Sequence, residues 1–261
     1  MLLLPGKPRM LRNDSVGIFP AGVTEAGLDH FIGEIRATRD GQRTFFDCAA
    51  FPWVRETERR YAAAREEIDR LMRAIELMPS LEEIQAGQVR LSSDRRWKVF
   101  PLYAYGEWCE GNVRRCPRVA EMVRGIDGVT MAMLSILEPN KEIAPHNGNY
   151  CGLLRYHLGL KIPQPAGQCG IRVGDEIRHW SDGGSLIFDD TYLHTAWNRS
   201  GEDRAILMVD FVRPLPAALA NMNHRIIEAI GRSASVSRAA QRWAEWECAY
   251  GHLLDERLAA A

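Results

Sequence analysis

The feature that most limits the fold of this chain is a series of short β-rich runs between about Val99 and Pro214. Gly, Pro, Asn and Asp, which are typical of turns, separate the runs, and no helical pattern lies between them. The clearest runs are TMAMLSILE (130–138), LLRYHLGLKI (153–162), GIRVG (170–174), SLIFD (185–189), HTAWN (194–198) and RAILMVDFV (204–212). Strands without crossover helices favour an antiparallel sandwich or barrel over a βαβ sheet.

Helical patterns flank this β region on both sides. From Glu56 to about Met78, apolar residues recur at spacings of three and four, and Pro79 marks the end of the predicted helix. Helical periodicity returns after Pro216. We therefore expect a mainly β fold with flanking helices (α+β), and C-terminal helices that either cover a sheet face or form a homo-oligomer contact. The expected parts are an N-terminal helical and irregular region packing on the core (1–98), a β core (99–214) and C-terminal helices (215–261).

The overall charge excludes two classes of partner. The chain of 261 residues has a net charge of −1 and a pI near 6.7, so nothing indicates binding to nucleic acid or to an anionic membrane surface. The pairs Arg95-Arg96 and Arg114-Arg115 are expected to be solvated. No apolar run approaches the ~18 residues that span a bilayer, and MLLLPGKPRM lacks the features of a secretory signal. We therefore expect a cytoplasmic protein without an integral membrane segment.

The cysteines are scattered and form no C-x-x-C pair, so a zinc ribbon or a redox motif is not indicated. Cys109 and Cys116 lie seven positions apart, in a predicted loop, and their pairing under oxidation is left open. In a reducing compartment we expect free thiols.

Polar residues that are costly to bury recur at the ends of the predicted strands. Such residues need a shared reason to point inward, because unpaired charges are expensive in a core. A metal with an anionic ligand would supply one, since imidazoles bind metals and guanidinium groups bind carboxylates. The members of this set are Ser135, His146, Arg155, His157, Asp190, His194 and Arg204.

The two histidines of the set lie 48 positions apart, and His146 follows Pro145 in a predicted loop after one strand. A hairpin turning at 198–201 would bring the strand of Arg204 back beside His194. The usual non-haem iron pattern has an Asp or Glu two positions after the first histidine, but this chain has Gly148 there. From the residues alone, a metal site without its carboxylate and two histidines near a strand both remain open.

These motifs, in this order, resemble the aspartyl/asparaginyl β-hydroxylase family, a branch of the Fe(II)- and 2-oxoglutarate-dependent dioxygenases. The resemblance covers roughly Phe51 to Pro214. It is carried by FPWV (51–54), RWK (96–98), SILEPNKEIAPHNG (135–148), LRYHLGL (154–160), FDDTYLHTAWN (188–198) and RAILMVDFVRP (204–214).

The resemblance implies a double-stranded β-helix, which is a jelly roll, and a two-histidine iron site. His146 and His194 would bind Fe(II), and Asp190 would orient a metal-bound water. The family pattern also resembles His-x-Gly, so water would take the coordination position that Gly148 cannot fill. Iron binding would then be strongly coupled to the binding of 2-oxoglutarate.

The same resemblance places the cosubstrate. Arg155 and His157 would hold the C1 carboxylate end of 2-oxoglutarate near the metal. Arg204, assisted by Ser135, would hold the distal C5 carboxylate, and Trp97 would line the same pocket.

The implied reaction uses O₂ to convert 2-oxoglutarate to succinate and CO₂ while an unactivated C–H bond is hydroxylated. The expected substrate is a small molecule or a peptide, with the new oxygen at the β-carbon of an Asp or Asn group. A lipid acyl chain or a natural-product intermediate is the alternative substrate. A non-catalytic jelly-roll protein that binds a small acid is a competing function. A metal-dependent hydrolase is disfavoured because no general base neighbours the ligands.

Other polar residues in the β region have simpler expected roles. His179 and Trp180 lie near a predicted turn, so we expect them at the surface. Asp189 is expected to be structural. Asp210 and Arg213 are expected to form an ion pair that closes the last strand.

Overall fold

The turn-separated runs form two antiparallel sheets in the computed structural model, which describes residues 24–260 apart from Ala86 and Gln88. The N-terminal stretch on which the absence of a secretory signal was predicted lies outside the described residues. The strands are β1 (Phe45–Phe46), β2 (Trp97–Ala104), β3 (Glu107–Trp108), β4 (Val129–Leu137), β5 (Lys141–His146), β6 (Leu153–Lys161), β7 (Cys169–Val173), β8 (Glu176–His179), β9 (Ser185–Phe188), β10 (His194–Asn198) and β11 (Arg204–Val212).

The order of the strands defines the architecture. The larger sheet has the order β1-β9-β6-β11-β4-β2-β3, and the smaller sheet has the order β5-β10-β7-β8. From β4 to β11 the chain therefore passes repeatedly between two facing sheets. This interleaving of eight strands is a jelly roll, so the predicted double-stranded β-helix and the mixed α+β class are confirmed. Strands β1, β2 and β3 extend the larger sheet at its edges.

The predicted hairpin between β10 and β11 is wrong. Strand β10 pairs with β5 and β7, whereas β11 pairs with β4 and β6 in the other sheet. Asn198 fixes the crossing: its Nδ2 donates to the carbonyl oxygens of Leu137 and Glu202 at 2.9 and 2.7 Å. Arg204 consequently lies on the sheet opposite to His194 rather than beside it.

The two faces of the larger sheet bury different kinds of side chain, because successive residues of a strand point to opposite faces. On β6, Leu154 and Tyr156 pack into the apolar core outside the jelly roll. The indole of Trp53 contacts Tyr156 there, with ring centroids 5.0 Å apart. Arg155 and His157 alternate with these residues and therefore point into the jelly roll, between the two sheets.

The outer face of the larger sheet is covered mainly by helices that precede β4, through buried residues such as Trp53, Ile68 and Val119. The helix predicted from Glu56 to Met78 is divided into an α-helix that begins at Pro52, a second α-helix, and a 3₁₀ segment at Met72–Leu77. Proline is favoured in the first turn of a helix, which explains the earlier start. In chain order, the α-helices before β4 are α1 (Glu25–Ala37), α2 (Pro52–Arg59), α3 (Tyr61–Leu71), α4 (Leu81–Ile84), α5 (Glu110–Arg115) and α6 (Pro117–Arg124).

The C-terminal helices, α7 (Ala217–Gly231) and α8 (Ala234–Ala259), pack on the same chain. Trp243 of α8 is buried against Phe100, with ring centroids 6.3 Å apart. Arg115 is buried rather than solvated, which corrects the expectation for that residue: it donates to Glu247 of α8 at 2.8 Å and to Asp255 at 2.7 Å. A homo-oligomer contact through these helices stays a prediction.

Two further expectations concern the chain as a whole. Within the described part of the chain, no helix is long and apolar enough to cross a membrane. The six cysteines are free thiols, Cys109 and Cys116 among them.

Candidate metal and cosubstrate site

Two histidines face each other at one end of the jelly roll. His146 and His194 are paired residues on the neighbouring strands β5 and β10, and their ring centroids lie 4.0 Å apart. His146 is the last residue of β5, so its predicted position in a loop is wrong. The register between β5 and β10 shifts just beyond His194, and such bulges often re-aim side chains next to functional sites.

Both rings form their hydrogen bonds through Nδ1, and neither Nε2 atom has a hydrogen bond to the described residues. His146 Nδ1 lies 2.8 Å from the carbonyl oxygen of Ala144, and His194 Nδ1 lies 2.9 Å from that of Tyr192. A carbonyl oxygen only accepts, so each Nδ1 carries the proton and each Nε2 carries a lone pair. Burial lowers the pKa of His146 to about 4 and holds the pKa of His194 well below its ordinary value. Both imidazoles are therefore neutral near pH 7, the form that binds metals.

The space that a side chain at position 148 would need is filled by the carboxyl group of Asp190. A Cβ added to Gly148 would overlap the Oδ1, Cγ and Oδ2 atoms of the Asp190 carboxyl group. The Gly148 amide also donates to the Asp190 carbonyl oxygen at 2.7 Å, so the two backbones cannot easily separate. A carboxylate ligand on residue 148 is thus excluded sterically as well as by the identity of the residue.

Arg155 is bound by two carboxylates. Its Nε and Nη2 donate to the two oxygens of Asp210 at 2.7 and 2.8 Å, and its Nη1 lies 3.1 Å from Asp190 Oδ2. Asp210 is the direct cross-strand neighbour of Arg155, and the predicted ion pair between Asp210 and Arg213 does not form. Burial raises the pKa of Asp190 above its ordinary value, although Arg155 opposes the shift. Most hydrogen-bond donors of the Arg155 guanidinium are therefore already paired, and its remaining contribution to the site is its positive charge.

Arg204 lies inside the jelly roll with no acidic partner among the described residues. It is 1% exposed, and its Nη1 donates to the carbonyl oxygen of Ser135 at 3.3 Å. Burial lowers the pKa of Arg204 to about 10. Ser135 Oγ accepts a hydrogen bond of 3.0 Å from Trp97 Nε1 and keeps its own proton to donate. The predicted residues of the distal end are therefore brought together.

Polar atoms without partners cluster at this end. In the described part of the chain, four of the six buried side-chain nitrogen and oxygen atoms that lack a hydrogen bond belong to three neighbouring residues. They are both ring nitrogens of His157, Nε1 of Trp180 and Nε of Arg204. Leaving such groups unpaired costs about 1–3 kcal/mol each. An anionic ligand between the sheets would accept hydrogen bonds from the N–H groups among them.

Trp180 is the residue that the sequence interpretation missed. It is 1% exposed, which overturns the expected surface position, and its ring centroid lies 4.7 Å from Arg204 Cζ. The neighbouring Asp182 and Gly183 predicted a turn, and a turn does lie at these two residues. A single buried residue at the end of a strand leaves no periodic signal.

A second set of charges fixes the loop between β9 and β10. Asp189 is 0% exposed and accepts from Arg36 of α1 at 2.6 Å and from Arg213 at 2.8 Å. The expected structural role of Asp189 thus has a physical basis. Because Asp189 precedes Asp190, this clamp holds the loop that carries Asp190 and leads into His194.

The donor set fits a metal held by two histidines and a dianionic cosubstrate. No cluster of three or more His, Cys, Asp or Glu side chains suited to a metal occurs in residues 24–85, 87 and 89–260. The paired, neutral Nε2 atoms of His146 and His194 nevertheless leave room for further ligands from solution. The unpaired donors around Arg204 match a carboxylate, which only accepts hydrogen bonds when ionised.

Comparison with known proteins shows the family of this chain. A sequence profile described as "Aspartyl/Asparaginyl beta-hydroxylase" matches residues 58–214. The chain belongs to the aspartyl/asparaginyl β-hydroxylase family. The match takes in both histidines and the whole jelly roll, whereas FPWV at 51–54 lies before it.

Relatives in this family cover the chain to different extents. The ornithine lipid ester-linked acyl 2-hydroxylase of Rhizobium tropici is 37% identical over 207 residues, which are 79% of this chain and 74% of that protein. The human aspartate beta-hydroxylase domain-containing protein 2 is 33% identical over 57% of this chain and 42% of its own length. The human aspartyl/asparaginyl beta-hydroxylase is 32% identical over 45% of this chain, which spans 16% of that protein.

Solved structures with some similarity include cupin domains. One, from an XRE-family transcriptional regulator of Enterobacter cloacae, has a TM-score of 0.32 and 13% identity over 46% of this chain and 99% of its own. A cupin barrel protein from Salinispora arenicola has a TM-score of 0.31 and 11% identity over 51% and 87% of the two chains. At these scores the fold assignment rests on the strand order described above.

Proposed function

We propose that this family member is an Fe(II)- and 2-oxoglutarate-dependent hydroxylase of an unactivated C–H bond. The single observation that carries the proposal is the joint placement of two groups. One is the pair of neutral imidazoles with free Nε2 atoms, and the other is the buried Arg204 without an acidic partner. A metal-binding end and an anion-binding end then share the space between the two sheets.

The residues of the metal-binding end and of the anion-binding end hold different groups in this proposal. His146 and His194 hold Fe(II) through Nε2, and the Nδ1 hydrogen bonds to backbone carbonyls keep both rings oriented. Arg204 and Ser135 hold the distal carboxylate of 2-oxoglutarate, with Trp97 fixing the Ser135 hydroxyl. When bound, the iron, 2-oxoglutarate and O₂ supply the oxidation, with succinate and CO₂ as co-products.

The metal side of the cosubstrate is assigned to His157 and Arg155. His157 has two unpaired ring nitrogens and therefore has a hydrogen bond to offer the C1 carboxylate. Arg155 is held by Asp210 and Asp190, so its contribution is charge. The two arginines of the site then balance these two carboxylates, and Fe(II) balances the dianionic cosubstrate. A neutral total suits a site between two sheets, since a net buried charge is costly.

For the substrate, we place a lipid-linked acyl chain first. The match to the ornithine lipid ester-linked acyl 2-hydroxylase is longer than the range 58–214, so it takes in residues outside the jelly roll. The matches to the mammalian relatives cover only about half of this chain. The β-carbon of an Asp or Asn group is the second candidate, favoured by the family description. A cytoplasmic location stays a prediction.

A single assay tests the reaction and the substrate class. Metal-free protein is loaded with Fe(II) and 2-oxoglutarate without oxygen and then exposed to O₂ with each substrate. The panel contains amino-acid lipids with ester-linked acyl chains, simple acyl esters, and peptides containing Asp or Asn. Succinate and a mass gain of one oxygen are measured together, and we expect both with the acyl lipids.

The controls are matched histidine variants. His194→Ala removes one proposed iron ligand and should abolish succinate release, whereas His224→Ala alters an exposed histidine of α7 and should have no effect. If the wild type releases no more succinate than His194→Ala, the proposal is wrong and a non-catalytic acid-binding protein is favoured. Oxygen gain only in the Asp or Asn peptides would instead support the second substrate class.

A further inference from the structure

Trp180 lies in a segment that is fastened firmly to the larger sheet. The Gly183 amide donates to the Gly159 carbonyl oxygen of β6 at 2.8 Å. Asp182 Oδ1 accepts from the Ile162 amide at 2.7 Å. Gly159 also admits the carbonyl oxygen of Ser181 into the space that a Cβ would occupy. The indole that precedes these contacts is therefore held between the sheets by the backbone on its C-terminal side.

The face of this indole lies against Arg204. The Arg204 Cζ atom is 4.7 Å from the ring centroid, within the range of a cation–π contact, and both side chains are almost fully buried. Apart from the carbonyl oxygen of Ser135 at 3.3 Å, the described residues give this guanidinium no hydrogen-bond acceptor. The indole is thus the principal group that sets the position of the buried charge.

The edge of the same indole carries an unused donor. Trp180 Nε1 is buried and has no hydrogen-bond partner among the described residues. The ring centroid is 5.8 Å from that of His157, whose nitrogens have no partner there either. Trp180 therefore lies between the residues assigned to the two ends of the cosubstrate. A buried donor with no acceptor is expected where a ligand supplies one.

We propose that Trp180 positions the cosubstrate in two ways: its ring fixes the guanidinium of Arg204, and its N–H is an additional donor to the distal carboxylate of 2-oxoglutarate. This inference rests on the proposed use of 2-oxoglutarate. It adds to the arginine and serine a residue that lies outside the strands, directly after β8 and before the turn at 182–183.

The test separates the indole N–H from the ring and separates the distal carboxylate from the rest of the acid. Trp180→Phe keeps an aromatic face and removes the N–H, whereas Trp180→Leu removes both. Binding of 2-oxoglutarate and of 2-oxovalerate, which lacks the distal carboxylate, is measured by calorimetry on protein loaded with Mn(II). No turnover is needed for this readout.

We expect Trp180→Phe to weaken 2-oxoglutarate binding about tenfold, the effect of one hydrogen bond to a charged group. Binding of 2-oxovalerate should change less than about twofold, because it has no acceptor for the N–H. Trp180→Leu should weaken 2-oxoglutarate further, since Arg204 loses the ring against which it lies.

The matched control is Trp197→Phe. Trp197 also carries an arginine over its ring, with Arg199 Cζ 5.0 Å from the centroid, but it alternates with Ala196 and so points away from the interior of the jelly roll. This control should bind both acids like the wild type. Unchanged 2-oxoglutarate binding by Trp180→Phe, or an equal loss for both acids, would overturn the inference alone. A wild type that binds neither acid would overturn the proposed function as well.

Discussion

The contact between Gly148 and Asp190 gives the sharpest prediction for stability. In Gly148→Ala, the new methyl group would occupy the space of the Asp190 carboxyl group. The backbone cannot relax freely, because the Gly148 amide is bonded to the Asp190 carbonyl oxygen at 2.7 Å. The side chain of Asp190 must therefore turn away, and its contact with Arg155 at 3.1 Å is lost.

The magnitude follows from these two effects. Forcing a methyl group into a packed site costs about 1–3 kcal/mol. A lost hydrogen bond to a charged group costs about 1.5–3 kcal/mol. The two overlap, because turning Asp190 away relieves the clash, so we expect Gly148→Ala to lower the free energy of unfolding by about 2–4 kcal/mol. In an Asp190→Ala background the space is vacant, and the same substitution should cost less than about 1 kcal/mol.

A double-mutant cycle measures this coupling. Urea unfolding of the wild type, both single variants and the double variant is followed by circular dichroism with a chelator present, so that metal binding does not contribute. We expect a coupling energy of about 2 kcal/mol. Gly201→Ala is the control, since a Cβ there meets no atom within 4 Å. An equal cost of Gly148→Ala with and without the Asp190 carboxyl group would refute the reasoning.

Two other predictions concern ion pairs. Arg36→Met removes one of the two guanidinium partners of the buried Asp189, and we expect a loss of about 3 kcal/mol in urea unfolding, with faster amide exchange in residues 189–193. If Arg36→Met, in which Asp189 keeps its ion pair with Arg213, is as stable as the wild type, this prediction is wrong. The hydrogen bond from Arg115 lowers the pKa of Asp255 in the folded protein. The stabilisation from this hydrogen bond is therefore complete above the pKa of Asp255 in the unfolded chain, and it is lost as the pH falls through the pKa in the folded protein. Between pH 5 and pH 3 the wild type should therefore lose more thermal stability than Asp255→Asn, and parallel curves for the two proteins would disprove the assignment.

Most strands of the jelly roll could be predicted because their signals are local. The runs around Arg155 and Arg204 alternate within a few residues, and their predicted bounds differ by at most one residue from β6 and β11. His146 and His194 were found from the family resemblance. Strand β5, which carries His146 at its end, was missed because KEIAPH contains a proline and few apolar residues.

The pairing of the strands could not be predicted in the same way. A short link such as 198–201 suits a hairpin, whereas the side-chain bonds of Asn198 to Leu137 and Glu202, which hold the crossing between sheets, leave no local sequence signal. The partners of Arg155 were missed for the same reason. Asp210 lies 55 positions away and becomes a neighbour only through the register of β6 and β11.

The crossing between β10 and β11 has a consequence for the length of the ligand that the site accepts. The crossing places His194 on the smaller sheet and Arg204 on the larger one. Packed sheets lie about 10 Å apart, a spacing set by the side chains between them. The distance between the metal-binding end and the anion-binding end is therefore set by the separation of the two sheets rather than by the conformation of a loop. The ring of Phe188, whose centroid lies 4.9 Å from that of His157 and 6.2 Å from that of His194, acts as an apolar spacer between the sheets.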